Sequence, residues 1–220
     1  MRGVYRMKIL CIYGCGGVGR EISDLSYNIG KWQKIVFVED NITNRIVYNI
    51  EVYSLEEILK EFDKDSVEFI IATGEPVARK SIYNKLKDFS LNCISIIDQN
   101  FKLSSSSSIE EGTIVHTGAV ITCNVHVGKG CFINKGVVIG HDVTLGDFCV
   151  ISPNATISGD VEIGENCYIG SGAVIRNGVT IGRDSIIGMG AVVLEDVKPE
   201  SVMVGNPAKL LRKNESKKVF

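Results

Sequence analysis

From Ile109 to Lys198 the chain repeats every six residues, in fifteen consecutive hexads from IEEGTI to VLEDVK. Every hexad begins with Ile, Val or Leu, and its fifth residue is always Thr, Ala, Val, Cys or Ser. Leu103 and the five serines after it add a sixteenth, looser hexad. A period of six fits a prism of short parallel strands, with one hexad per face and three faces per coil. The aliphatic residue then points inward and stacks on its equivalent one coil away, while the small fifth residue fits a crowded corner. One coil alone cannot bury its inner row, so the core has to come from stacking. The expected domain is a parallel β-helix over 103–198, followed by a tail over 199–220.

Residues 1–102 follow a different pattern, in which strands alternate with helices. Strands are expected at Lys8–Tyr13, Ile35–Val38, Val67–Thr73 and Cys93–Ile97. Helices are expected over Arg20–Ile29, from a Ser54/Glu57 capping box to about Phe62, and from after Gly74 to about Asp88. This alternation implies a small parallel α/β sheet, a Rossmann-like subdomain too short for a complete two-half dinucleotide fold. Between the first strand and helix, Gly14 to Gly19 fit G-x-G-x-x-G, and Glu39-Asp40 follow about twenty residues on. Backbone N–H groups of Gly16, Gly17 and Val18 at a helix start can hold an anion, and a nearby carboxylate can bind a ribose or base. A plain strand-to-helix turn is the competing reading.

The 220 residues carry a net charge of −2, which points to neither nucleic acid nor an anionic membrane as partner. Apolar runs fall far short of the ~20 residues that span a bilayer. Met7 opens a better strand than Met1, and no cleavage region follows, so a cytoplasmic chain without a signal peptide is expected. The seven cysteines include no Cys-x-x-Cys pair, which argues for free thiols and against metal. Cys131, Cys149 and Cys167 are spaced 18 apart and read as one corner stack.

The third residue of each hexad sits at a turn, and sorting by 18 gives three vertical edges. Glu111, Lys129, Asp147, Glu165 and Arg183 make an all-charged edge, expected to be solvated. Cys123, His141, Gly159, Asn177 and Glu195 form a second edge, and Thr117, Lys135, Pro153, Ser171 and Met189 a third. Two edges poor in charge suggest contact with other surfaces, and head-to-tail pairing of them can close a homotrimer. Of the three histidines, His141 stands on such an edge with Asp142 beside it. Histidine is the usual general base near neutral pH, and a carboxylate fixes its tautomer. His116 and His126 read as ordinary packed or surface residues.

The hexads resemble the left-handed β-helix of hexapeptide-repeat acyltransferases. Over nearly 200 residues the chain resembles sugar O- and N-acyltransferases of the sialic-acid O-acetyltransferase and bacillosamine N-acetyltransferase type. The segments IYGCGGVGREI, INKGVVIGHDVTLGDFCVISPNATISGDVEIG and VMVGNPAKLLR carry the likeness. The resemblance implies acetyl-CoA as cosubstrate and a nucleotide-linked sugar as acceptor, in cell-surface polysaccharide biosynthesis. It implies His141 as base, Asp142 as its support and Asn134 as a substrate contact. It also assigns the pocket of Gly16, Gly17, Val18, Glu39, Asp40 and Gly74 to the nucleotide. Many members have histidine where this chain has Val18, and some have a second one where it has Val150. With a base at His141, pantetheine would follow the uncharged edges past Gly159, Ser171 and Met189, its phosphates near Lys209. The Gly159 N–H is the expected oxyanion donor. The competing readings are a zinc enzyme of the γ-type carbonic anhydrase kind and a non-catalytic β-helix.

Overall fold

A computed structural model describes residues 8–219, and the reading of residues 1–6 as an extension falls outside them. The described residues form two compact units, one running to Thr73 with Ile82–Ile94, the other comprising Gly74–Ser81 and Ser95 onward. No helix among them is long and apolar enough to cross a membrane.

In the first unit, β1 (Ile9–Tyr13), β2 (Lys34–Val38), β3 (Ile46–Val47), β4 (Ile50–Tyr53) and β5 (Val67–Ile71) form one sheet in the order β3-β4-β2-β1-β5. Strand β1 pairs in parallel with both β2 and β5, so the connections leave it in opposite directions. The carboxyl end of such a strand is where open α/β sheets bind ligands. Helices α1 (Gly17–Ile29), α2 (Leu55–Glu61) and α3 (Pro76–Asp88) complete the alternation, and the unit boundary passes through α3. The Ser54/Glu57 capping box is formed.

Two expectations need correction. The hairpin β3–β4 was not expected; its turn residues Tyr48 and Asn49 both take positive φ, with only one Asn as a signal. Cys93–Ile97 is not a fourth strand of the α/β sheet. Cys93 makes a single bridge to Phe69, whereas Ile96–Ile97 pairs with Ile114–Val115 and opens the β-helix ahead of residue 103.

In the second unit, two-residue strands recur at six-residue intervals and pair in parallel at a register of 18, as in Val138↔Thr156 and Ile139↔Ile157. They build three sheets of six, five and five strands, the first brought to eight by two strands of the tail. The inward rows, such as Ile133, Ile151 and Ile169, and the fifth-position residues, such as Val137, Ala155 and Ala173, make one continuous core. Burying each aliphatic is worth about 1.5–3 kcal/mol. Cys131, Cys149 and Cys167 are buried in one stack, and each thiol donates to a carbonyl of the adjacent coil (Gly146, Gly164 and Gly182) at 3.1–3.2 Å. Arg79, wholly buried on the first turns of α3, donates to the corner carbonyls of Gly130 and Cys131. The all-charged edge is less solvated than expected: Glu165 is bound by Lys80 at 2.8 Å and Lys129 by Asp147 at 3.2 Å. Those two tail strands form a hairpin, Ser201–Val204 with Lys209–Lys213.

Candidate active site

The chain turns at His141 and Asp142, between the strands Val138–Ile139 and Thr144–Leu145, with Asp142 in the left-handed conformation, φ 58°. On an extended strand these neighbouring side chains would diverge. Here they converge, and His141 Nδ1 lies 2.7 Å from Asp142 Oδ2. Asp142 is held below the usual carboxylate range, first by this bond and then by Asn124, whose Nδ2 donates to Asp142 Oδ1 at 3.0 Å. An ionised carboxylate only accepts, so Nδ1 carries the proton of the neutral tautomer, and in that tautomer Nε2 has the lone pair.

The other face of the imidazole rests on the next coil. A Cβ placed on Gly159 would fall 2.5 Å from His141 Cε1 and 2.6 Å from Nε2, so glycine is required for the ring to lie there. Among the described residues the Gly159 N–H has no backbone acceptor. One coil further on, the Asn177 amide, oriented to satisfy both neighbours, donates to Gly159 O (3.1 Å) and accepts from Gly178 N (3.2 Å). His141, Asp142 and Asp160 are exposed and bring one potential ligand atom each within 4.8 Å of one another. Sequence reading missed Asn124 and Asp160. Both belong to the fourth hexad position, which the same 18-residue sorting would have aligned with Asp142.

The other histidines are placed differently. His116 is buried, and its Nδ1 accepts from the Thr117 N–H. His126 bonds Ser108 and approaches Glu110 at 3.5 Å. Asn134 uses its Oδ1 to accept from the Lys135 N–H, on the third edge. Ser171 and Met189 share that edge and are exposed, Met189 to 83%. Within one chain they lie across a sheet face from His141 and do not meet it. That face carries Val120, Val138, Thr156, Val174 and Val192 outward in register, and three of its valines are exposed. At the far end of His141's edge a cleft of about 330 Å³ is lined by Leu194, Glu195, Asp196, Met203, Pro207 and Lys209, among others. Its single cation, Lys209, shares the cleft with two carboxylates.

In the first unit, Gly16 caps α1 without a side-chain partner, and no acidic residue occupies the helix's first turn. Gly14 and Gly19 are needed for packing: their Cβ atoms would fall 2.7 Å from Ala72 O and 2.1 Å from Gly14 O. Gly16 and Gly17, by contrast, face open space; Gly74, which belongs to the second unit, also has nothing within 4 Å of a Cβ. Glu39 accepts from Cys15 Sγ at 3.6 Å. Asp40 Oδ1 accepts from Tyr13 Oη at 2.6 Å and from Lys85 Nζ at 2.7 Å. Burial pushes the Tyr13 hydroxyl up to about 12, aided by Asp40. Burial also raises Asp40, but Lys85 and Tyr13 outweigh it and leave that carboxyl below its ordinary value. Tyr13 and Lys85 were missed because they lie at a strand end and late in a helix, outside any motif.

A family model described as the PglD N-terminal domain matches residues 9–86, and the bacterial transferase hexapeptide model matches 124–159 and 160–195. The acetyltransferase domain of PglB from Neisseria gonorrhoeae FA1090, also solved in complex with acetyl coenzyme A, is 29% identical. That match covers 93% of this chain and 100% of the other, with a TM-score of 0.87. PerB from Caulobacter crescentus, solved in complex with CoA and GDP-perosamine, is 27% identical over 92% of this chain and 97% of its own, TM-score 0.84. WeeI from Acinetobacter baumannii AYE is 26% identical over 93% and 100%, TM-score 0.83. The expected likeness to hexapeptide-repeat sugar acyltransferases holds, and so does the fold class, an α/β domain followed by a left-handed β-helix.

Proposed function

We propose that this chain, a PglD N-terminal domain joined to bacterial transferase hexapeptide repeats, moves an acetyl group from acetyl-CoA to an amino or hydroxyl group of a nucleotide-linked sugar. The observation that carries this reading is the His141–Asp142 pair laid against Gly159, in a chain similar throughout to PglB and PerB. His141 Nε2 takes the proton from the acceptor as its nitrogen or oxygen attacks the thioester carbonyl. Asp142 holds the Nδ1 proton and offsets the charge that develops on the ring. The Gly159 N–H faces the carbonyl oxygen as it becomes an oxyanion; a donor so placed is worth about 3–4 kcal/mol. The tetrahedral intermediate collapses with loss of CoA thiolate, and the imidazolium returns a proton to it. General-base assistance supplies roughly 10²–10⁴-fold. No metal is needed for these steps. The one nitrogen donor and the twice-bonded Asp142 favour a base over a zinc site.

The start of α1, with Gly16, Gly17 and Val18, takes the sugar nucleotide's diphosphate, and Glu39 and Asp40 its ribose or base. Pantetheine follows the edge of His141 and Gly159 toward the Lys209 cleft, flanked by Ser171 and Met189 of a neighbouring copy. A homotrimer supplies that neighbour, because the valine face lies between the two edges that are poor in charge. We assign 1–102 to nucleotide-sugar binding, 103–198 to acyl transfer and 199–220 to the tail. Both ligands are cytoplasmic metabolites, and we place the protein there. Incubation with acetyl-CoA and a panel of UDP-, GDP- and dTDP-linked sugars, read by mass spectrometry, tests the reading. One acetyl-bearing sugar nucleotide is expected, and release of CoA without any acetylated sugar would count against it.

A further inference from the structure

Asp142 does not stand alone beneath His141. Asn124, one coil earlier, occupies the same turn position with the same left-handed conformation, φ 56° against 58°. Its amide therefore stacks beside the carboxylate and donates to Oδ1 at 3.0 Å, while Oδ2 faces His141 Nδ1 at 2.7 Å. On the opposite side stands Asp160, also left-handed at φ 55°, with its carboxylate within 4.8 Å of both members of the pair. Two stacked carboxylates repel, and an exposed Asp142 has little packing to hold its rotamer against that repulsion. A neutral donor on the far oxygen opposes the rotation.

Building on the reading of His141 as base, we propose that Asn124 is a positioning residue for the reaction, clamping Asp142 so that its second oxygen stays on His141 Nδ1. The fold contains its own control. Asn166 donates to Asp184 Oδ1 at 3.1 Å across one coil, with φ 57° and 58°, yet the residue before Asp184 is Arg183, and Asp184 is buried. There the carboxylate's other oxygen lies 3.4 Å from Lys217 Nζ and 3.7 Å from Arg183 Nε, and the pairing orients no histidine. Beside His141 it orients a carboxylate that faces solvent.

The test is steady-state kinetics of Asn124→Gly, which keeps the left-handed turn and removes the donor, and of Asn124→Asp, which keeps the size and replaces the donor with a charge. Both should lower kcat ~10-fold or more, since misdirection of a catalytic group costs rate steeply, with KM for acetyl-CoA within about two-fold of wild type. In an Asp142→Ala background, Asn124→Gly should have no further effect, and Asn166→Gly should leave kcat unchanged. Wild-type kcat in Asn124→Gly, an undiminished effect without Asp142, or an equal loss in Asn166→Gly would each overturn the proposal. His141→Ala is measured alongside. If it is impaired while Asn124→Gly is not, only the clamp is wrong; if it turns over like wild type, the base assignment and the clamp fall together.

Discussion

Gly159 decides where the His141 ring can lie. The imidazole occupies the space that any Cβ on Gly159 would fill, within 2.5–3.0 Å of three ring atoms. Gly159→Ala should therefore displace the ring while leaving the hexad's inward residues untouched. We expect kcat to fall about 10²-fold, as for other small misplacements of a reacting group, with an unchanged circular dichroism spectrum. Wild-type kcat would show that the ring's contact with Gly159 is dispensable. The pair His141–Asp142 was legible in sequence because both sit at a computable turn. Its support was not, because Asn124 and Asp160 lie 18 residues away in either direction and come near Asp142 only because the coils stack.

At the scale of elements, the three faces of the prism differ in what they present. The outward row of one face is Val120, Val138, Thr156, Val174 and Val192; another presents Ser108, His126, Thr144, Glu162 and Thr180. Exposed valines in register on the first face, bounded by the two edges poor in charge, suit contact with a second copy. If the proposed trimer forms through this face, a double Val138→Glu/Val174→Glu variant should sediment as a monomer and lose acetyl transfer, since no neighbouring copy would bring Ser171 and Met189 to His141. A fully active monomer would remove the shared groove. The edges themselves were readable from spacing and charge. What spacing left out was α3, whose Lys80 reaches Glu165 and makes part of the charged edge an intramolecular contact.

For the whole molecule, the six-residue period determined nearly all of the second unit, because each hexad position has one fixed role in the coil. The first unit was less legible. Its glycine turn, capping box and helices could be placed, but the hairpin at Ile46–Tyr53 and the transfer of Ile96–Ile97 to the β-helix depend on pairing partners that local sequence does not name. The same division applies to chemistry. In the proposed function the base is His141 of the β-helix, whose partners Asp142 and Gly159 are fixed by geometry, whereas the choice of sugar nucleotide is assigned to the loops around Gly16 and Asp40. The most direct measurement of the central claim is acceptor-dependent CoA release by wild type and His141→Ala, with acetyl-CoA binding measured on both by calorimetry. The account predicts at least a ~10²-fold loss of kcat with acetyl-CoA affinity retained; turnover by His141→Ala at the wild-type rate would contradict it.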